Sequence, residues 1–162
     1  AENGGIAHVD GEVLVHGDRE RTTAAVEAFQ AAGGDLGWGD VDLVNRWRET
    51  EVAVDLDADE ALLREVAAEH GLEVVDTGYA FHLKQPDMSK GLMLERVAER
   101  LGYEPGEFAA VGDSENDVST FERVGRSFAP SNADDRALAA ADVVLDEAHA
   151  EGALDALARL RT

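Results

Sequence analysis

The short apolar run Phe108–Val111 leads directly into Gly112-Asp113-Ser114-Glu115-Asn116-Asp117, and no other stretch constrains this chain as strongly. An apolar strand that breaks at Gly-Asp, with a second acid four residues later, sets two carboxylates at the C-terminal end of a strand. In an open α/β sheet, that edge is where ligands bind. Two hard oxygen donors at such an edge suit Mg²⁺, which takes one or two carboxylates and completes its shell with water and phosphate oxygens. Upstream, Met88-Ser89-Lys90-Gly91 places a lysine at the start of an amphipathic helix. Together these features point to phosphoryl chemistry.

The pattern around the motif sets the fold. After Gln85-Pro86-Asp87 the chain reads as helix Ser89–Leu101, strand Phe108–Val111, helix Glu115–Val124, strand Ser127–Ala129, helix Asp134–Ala141, strand Asp142–Leu145 and helix Glu147–Leu160. Strict strand–helix alternation predicts a parallel, doubly wound sheet. Before the boundary, Ile6–Val9 and Glu12–Val15 form a hairpin about Asp10-Gly11, a two-residue turn pair that favours left-handed backbone. A helix over Glu20–Ala32 stops at Gly33-Gly34, and Asp35–Gly39 is a loop. Strand Thr50–Leu56, helix Asp59–His70 and the strand pair Leu72–Val75 and Tyr79–Lys84 follow. The expectation is therefore an α/β cap over residues 1–85 and the C-terminal part of a Rossmann-like core over 86–162.

Composition excludes several partners. The 162 residues carry 35 acids against 14 lysines and arginines, a formal charge of −21, and only Lys84 and Lys90 are lysines. Such a surface repels nucleic acid and anionic membranes. The acids lie within amphipathic segments and 44% of residues are hydrophobic, which argues for a folded chain. No cysteine is present, so thiolate metal sites and disulfides are excluded. Neither a leader nor a membrane-length apolar run is read from the sequence, and a soluble, cytoplasmic protein is expected.

Lys90 together with the strand–Gly-Asp-x-x-Asn-Asp element resembles the haloacid dehalogenase superfamily, in particular its small archaeal sugar- and acid-phosphate phosphatases of the phosphoglycolate-hydrolysing type. The likeness runs along nearly the whole chain, through Ala1-Glu2-Asn3-Gly4-Gly5 and Val75-Asp76-Thr77-Gly78-Tyr79-Ala80-Phe81-His82. It implies Mg²⁺-dependent hydrolysis of a small phosphorylated acid, 2-phosphoglycolate first, with another sugar or polyol phosphate as the alternative. A non-catalytic module that binds phosphate or metal is a third reading. The resemblance also assigns roles. Asp113 and Asp117 would hold the metal, Lys90 would act on the phosphate, and Asn116 and Asn132 would contact substrate. Arg46, in Arg46-Trp47-Arg48, could hold a substrate carboxylate by its planar fork, and a homodimer is compatible with the family. An acid-rich, lysine-poor surface also resembles proteins of salt-loving archaea.

In the family the nucleophile is an aspartate of an Asp-x-Asp-Gly-Thr motif that precedes the Asn-Gly-Gly element. This sequence opens at that element, so the expectation is a chain short of about two βα units, on the order of ~60 residues, and inactive alone. Two segments imitate the motif. His8-Val9-Asp10-Gly11 is read as the hairpin turn. Asp55-Leu56-Asp57-Ala58-Asp59 lacks the turn glycine and the hydroxyl residue, and is read as a strand end followed by a helix N-cap.

Overall fold

The computed structural model describes residues 1–161, and these divide into two compact units, Ala1–Met88 and the residues from Ser89 onward. In the first unit, β1 (Ile6–Val9) and β2 (Glu12–Val15) form an antiparallel hairpin with Val9 opposite Glu12. Asp10 and Gly11 both take positive φ, 50° and 82°, the backbone that a two-residue hairpin turn demands. Next comes α1 (Arg19–Ala31), whose N-cap Asp18 accepts from the Arg21 N–H. The antiparallel sheet β3-β5-β4 is built from β3 (Val52–Val54), β4 (Glu73–Asp76) and β5 (Phe81–Lys84), with α2 (Glu60–Glu69) between β3 and β4.

Period-two alternation sorts these strands. Val54, Val74, Phe81 and Leu83 turn to one face and bury against Ala25 and Phe29 of α1 and Leu63, Val66 and Ala67 of α2. His82, between Phe81 and Leu83, belongs to the opposite face. The strand expected over Thr50–Leu56 shortens to Val52–Val54 because both its ends are otherwise engaged. The Thr50 N–H and hydroxyl donate to the Glu2 carboxylate, each at 2.7 Å. Beyond Val54, the Asp55 carboxylate closes a turn on the Asp57 N–H. The unit ends on Lys84, a buried ammonium that donates to Glu73 at 2.5 Å and to the carbonyls of Gln85 and Met88.

The second unit is a βα alternation around a parallel sheet of order β6-β7-β8, from β6 (Ala109–Val111), β7 (Arg126–Ala129) and β8 (Val143–Val144). Helix α3 (Lys90–Leu101) precedes it, α4 (Val118–Phe121) and α5 (Asp135–Ala140) connect its strands, and α6 (His149–Leu160) follows. Adjacent β7 residues serve opposite faces. Ala129 packs with Phe121, Ala133 and Ala137, whereas Phe128 packs with Leu145 and Ala156 of α6. Both faces of β7 are thus covered at Phe128 and Ala129, as in a parallel strand flanked by helices. The helix expected over Glu115–Val124 is instead a 3-10 turn, Glu115–Asp117, leading into the short α4. The cause is Asp117, whose carboxylate folds back onto the preceding loop.

Among the described residues no helix is long and apolar enough to cross a membrane. The ion pairs, such as Arg64–Glu60 and Arg159–Asp155, engage only part of an acid excess of 35 against 14. The remainder repels itself until counterions screen it, and the screening length falls to about 3 Å at 1 M salt. Passing from low to molar KCl is therefore expected to raise the thermal midpoint by about 5 °C or more, read by calorimetry. A midpoint that is flat or falls would rule out surface repulsion as a limit on stability.

Candidate active site

Two glycines and one helix start bring the chemical groups of the second unit together. Gly112 ends β6, and a Cβ there would lie 2.5 Å from both Cβ and Cγ of Asp117. Only glycine lets the Asp117 side chain fold over the strand end. Its Oδ2 then accepts the Asp113 N–H at 3.0 Å and the Ser114 N–H at 3.2 Å. This is a carboxylate seated in successive main-chain donors, a favourable site for negative charge.

Gly91 does the same for α3. A Cβ at Gly91 would meet the Ser119 carbonyl oxygen at 2.0 Å, and the Gly91 N–H donates to the Ser119 hydroxyl at 3.1 Å. Ser89 caps the helix by accepting the Leu92 N–H. Backbone therefore lies on backbone, and the adjoining Lys90 reaches Asp117 Oδ1 at 2.5 Å and Asn116 Oδ1 at 2.6 Å. The Ser114 hydroxyl donates to the same Asn116 oxygen at 2.8 Å. The sequence names Lys90 and Gly112 through their motif. Gly91 is missed, and the Lys-Gly pair at a helix start is the signal that could have exposed it.

Asp113 stands apart from this network. Its main chain is engaged on both sides, but the carboxylate is exposed and no donor among the described residues reaches it. Asp117 is only 13% exposed at its side chain, and Lys90 is 37% exposed. The set thus offers one open carboxylate, a second one fixed beside it by main-chain N–H groups, and an ammonium. No group of three or more His, Asp or Glu side chains forms a closed metal cage among the described residues. Mg²⁺ does not call for one, since it binds through one or two carboxylates with water and phosphate oxygens, and the donor set fits that ion.

The other expected residues fall as follows. Asn132 lies on the loop after β7, and its Oδ1 accepts the His149 N–H at 2.7 Å, at the start of α6. In the first unit Arg46 is exposed with its guanidinium 4.9 Å from the Trp47 ring centre. Arg48 is committed to Glu51. The imitation motif is structural: Asp55 closes its turn, and Asp59 caps α2 through the Leu62 N–H at 3.0 Å. Asp76 likewise closes a turn on the Gly78 N–H.

Sequence reasoning also misses a buried polar cluster. Glu51, 2% exposed, accepts from Asn3 at 2.8 Å, pairs with Arg48 and lies 3.0 Å from His82 Nδ1. Burial pushes its carboxyl up. The His82 hydrogen bond and charge, the Asn3 amide and the Arg48 guanidinium outweigh that and hold it below its ordinary value. Nothing in the local pattern of Thr50-Glu51-Val52 marks the cluster, because Asn3 and His82 lie 48 and 31 residues away from Glu51.

Comparison with known proteins identifies the family and the fold. The profile of the haloacid dehalogenase-like hydrolases matches residues 55–157. A protein of Halorubrum lacusprofundi named phosphoglycolate phosphatase is 60% identical over 164 residues, covering 100% of this chain and 72% of its own. Another of that name, from Halobacterium salinarum, is 54% identical over 162 residues with the same coverage. Among solved structures, Thermoplasma acidophilum 0175 superposes with a TM-score of 0.80 at 28% identity, over 99% of this chain and 70% of that one.

Proposed function

Because the chain belongs to the haloacid dehalogenase-like hydrolases, we propose that it acts as a phosphatase of small phosphorylated acids, with 2-phosphoglycolate as first substrate and Mg²⁺ as cofactor. The observation that carries this reading is the convergence of Lys90, Asn116 and Asp117 beside the open carboxylate of Asp113 at the end of a parallel strand. The substrate rests on the names of relatives that are 54 and 60% identical.

Asp113 would hold Mg²⁺ directly, and Asp117 would accept from its water shell or join it. When bound, the ion offsets charge on the transferring phosphoryl group and helps to align it. The chain's own residues do the rest. Lys90 brings a compact ammonium to the phosphoryl oxygens and is held there by Asn116 and Asp117. Main-chain N–H groups of Asp113 and Ser114 hold the Asp117 carboxylate in one orientation. The nucleophilic carboxylate is assigned to residues outside these 162, since Asp55 and Asp59 are committed to a turn and a cap. Attack of that carboxylate on phosphorus would release the alcohol of the substrate and leave an acyl phosphate, which water then cleaves. Of the paired arginines, Arg46 is the candidate for a substrate carboxylate, because Arg48 is held by Glu51.

One experiment tests the proposal. Phosphate release is followed with Mg²⁺ in high salt from 2-phosphoglycolate, a sugar phosphate and an aryl phosphate. Residues 1–162 alone are compared with a chimera that carries a relative's nucleophile motif ahead of Ala1. The expected result is no turnover by the first and turnover by the second, best on 2-phosphoglycolate, with Asp113→Asn lowering it about 10²-fold or more. Turnover by residues 1–162 that is lost on Asp55→Asn would instead make the imitation motif the nucleophile.

A further inference from the structure

Asp134 sits on the loop after β7, where the sequence marks only the start of a helix. In the structure it makes four hydrogen bonds, two of them within α5 and two to the segment that carries Asp113. Its N–H donates to the Asp113 carbonyl at 2.9 Å. Its Oδ2 accepts the Glu115 N–H at 2.6 Å, while Oδ1 accepts the Ala137 N–H at 2.8 Å and so caps α5. The Asp113–Glu115 segment is thus gripped at both ends from the neighbouring βα loop. Inside that grip lies Ser114, whose N–H is turned to Asp117. The direction of the Asp113 carboxylate follows from the main chain of these three residues, because its side chain has no other hold among the described residues. An ion pair between Arg136 and Glu115 ties the same two loops from outside.

We infer that Asp134 is a positioning residue, which through the Glu115 N–H and the Asp113 carbonyl aims the Asp113 carboxylate at the metal. The inference rests on the assignment of Asp113 as a Mg²⁺ ligand. It explains why an acid with two acceptor oxygens stands at this cap. Serine would cap α5 equally well, but its single, shorter-reaching oxygen cannot stand at both positions that Oδ1 and Oδ2 occupy on Ala137 and Glu115. Partners that orient a metal ligand change metal affinity by about 10- to 100-fold when removed.

The test titrates the protein with Mn²⁺ alone, in high salt, and follows amide exchange at Glu115 without metal. Asp134→Ser is expected to weaken Mn²⁺ binding about tenfold and to speed exchange at Glu115. Asp135→Ser removes the same charge from the first turn of α5 and is expected to change neither. Should Asp134→Ser fail to fold, Asp134→Asn carries the same expectation, since its amide nitrogen cannot accept the second N–H. Wild-type affinity in the Asp134 variants, or equal weakening in Asp135→Ser, would overturn the inference while leaving the metal assignment standing. A wild-type protein that binds no Mn²⁺ would overturn the metal assignment itself, and the positioning role with it.

Discussion

Replacing Lys90 by alanine is expected to lower phosphatase turnover about 10³-fold in the protein that carries the nucleophile motif, with the fold retained. The ammonium is held 2.5 Å from Asp117 and 2.6 Å from Asn116, and is partly exposed. Its charge is therefore placed before the substrate arrives, which is the condition under which such a group lowers a barrier without reorganising. Lys84 cannot take over, since its three acceptors are Glu73 and the carbonyls of Gln85 and Met88. Arginine should not rescue the variant, because a planar fork cannot replace a compact ammonium between two adjacent oxygens. Metal affinity separates this role from a structural one. Removing a cation beside Asp117 should leave Mn²⁺ binding unchanged or tighter while turnover collapses. Turnover within tenfold of wild type, or metal binding lost in step with it, would refute the assignment.

The second large effect is on stability. Glu51→Ala is expected to destabilise the first unit by about 3–5 kcal/mol, because the half-buried Arg48 and the buried His82 lose their shared carboxylate and the Asn3 amide loses its acceptor. Arg48 is ill placed to absorb the loss, since its Nε is already buried without a partner among the described residues. The pH dependence follows from the lowered carboxyl. A folded value below the ordinary 4.5 means the unfolded chain takes up a proton first. The contribution is thus fully present above about pH 4.5 and is lost as pH falls through the folded value. Thermal melts of wild type and Glu51→Gln should accordingly converge as the solution is acidified below pH 4.5. Parallel curves down to acid pH would show that the charge of Glu51 contributes nothing.

The contrast between these two sites shows what a sequence exposes. The candidate-site residues stand out in the sequence because a strand, a tight turn and a helix start compress Asp113, Asn116 and Asp117 into one short motif, and because Lys90 opens a strongly periodic helix. The regular elements of both units were legible for the same reason, since periodicity is local. What escaped depends on through-space partners. The Glu51 cluster joins an N-terminal turn, an irregular loop and a strand. Asp134 reads only as the first residue of a helix until one of its oxygens is seen on Glu115. The helix expected from Glu115 failed at its first turn because Asp117 prefers the N–H groups of Asp113 and Ser114, a choice that only Gly112 permits. Strand Thr50–Leu56 shortened for a similar reason, as Glu2 draws Thr50 out of the ladder.

The disposition of the two lysines has a practical consequence for chemical modification. Every side-chain ammonium of this sequence is already seated on oxygen acceptors, Lys84 at 7% exposure and Lys90 at 37%. An amine-directed reagent such as an acylating ester therefore meets no freely solvated lysine side chain. Acylation of Lys90 must await its departure from Asn116 and Asp117, so the rate of its labelling becomes a clock for local opening around the candidate site. In an ordinary lysine-rich protein that signal would be buried under dozens of indifferent sites; here the mass shift of the Lys90 peptide competes only with Lys84 and the Ala1 amine.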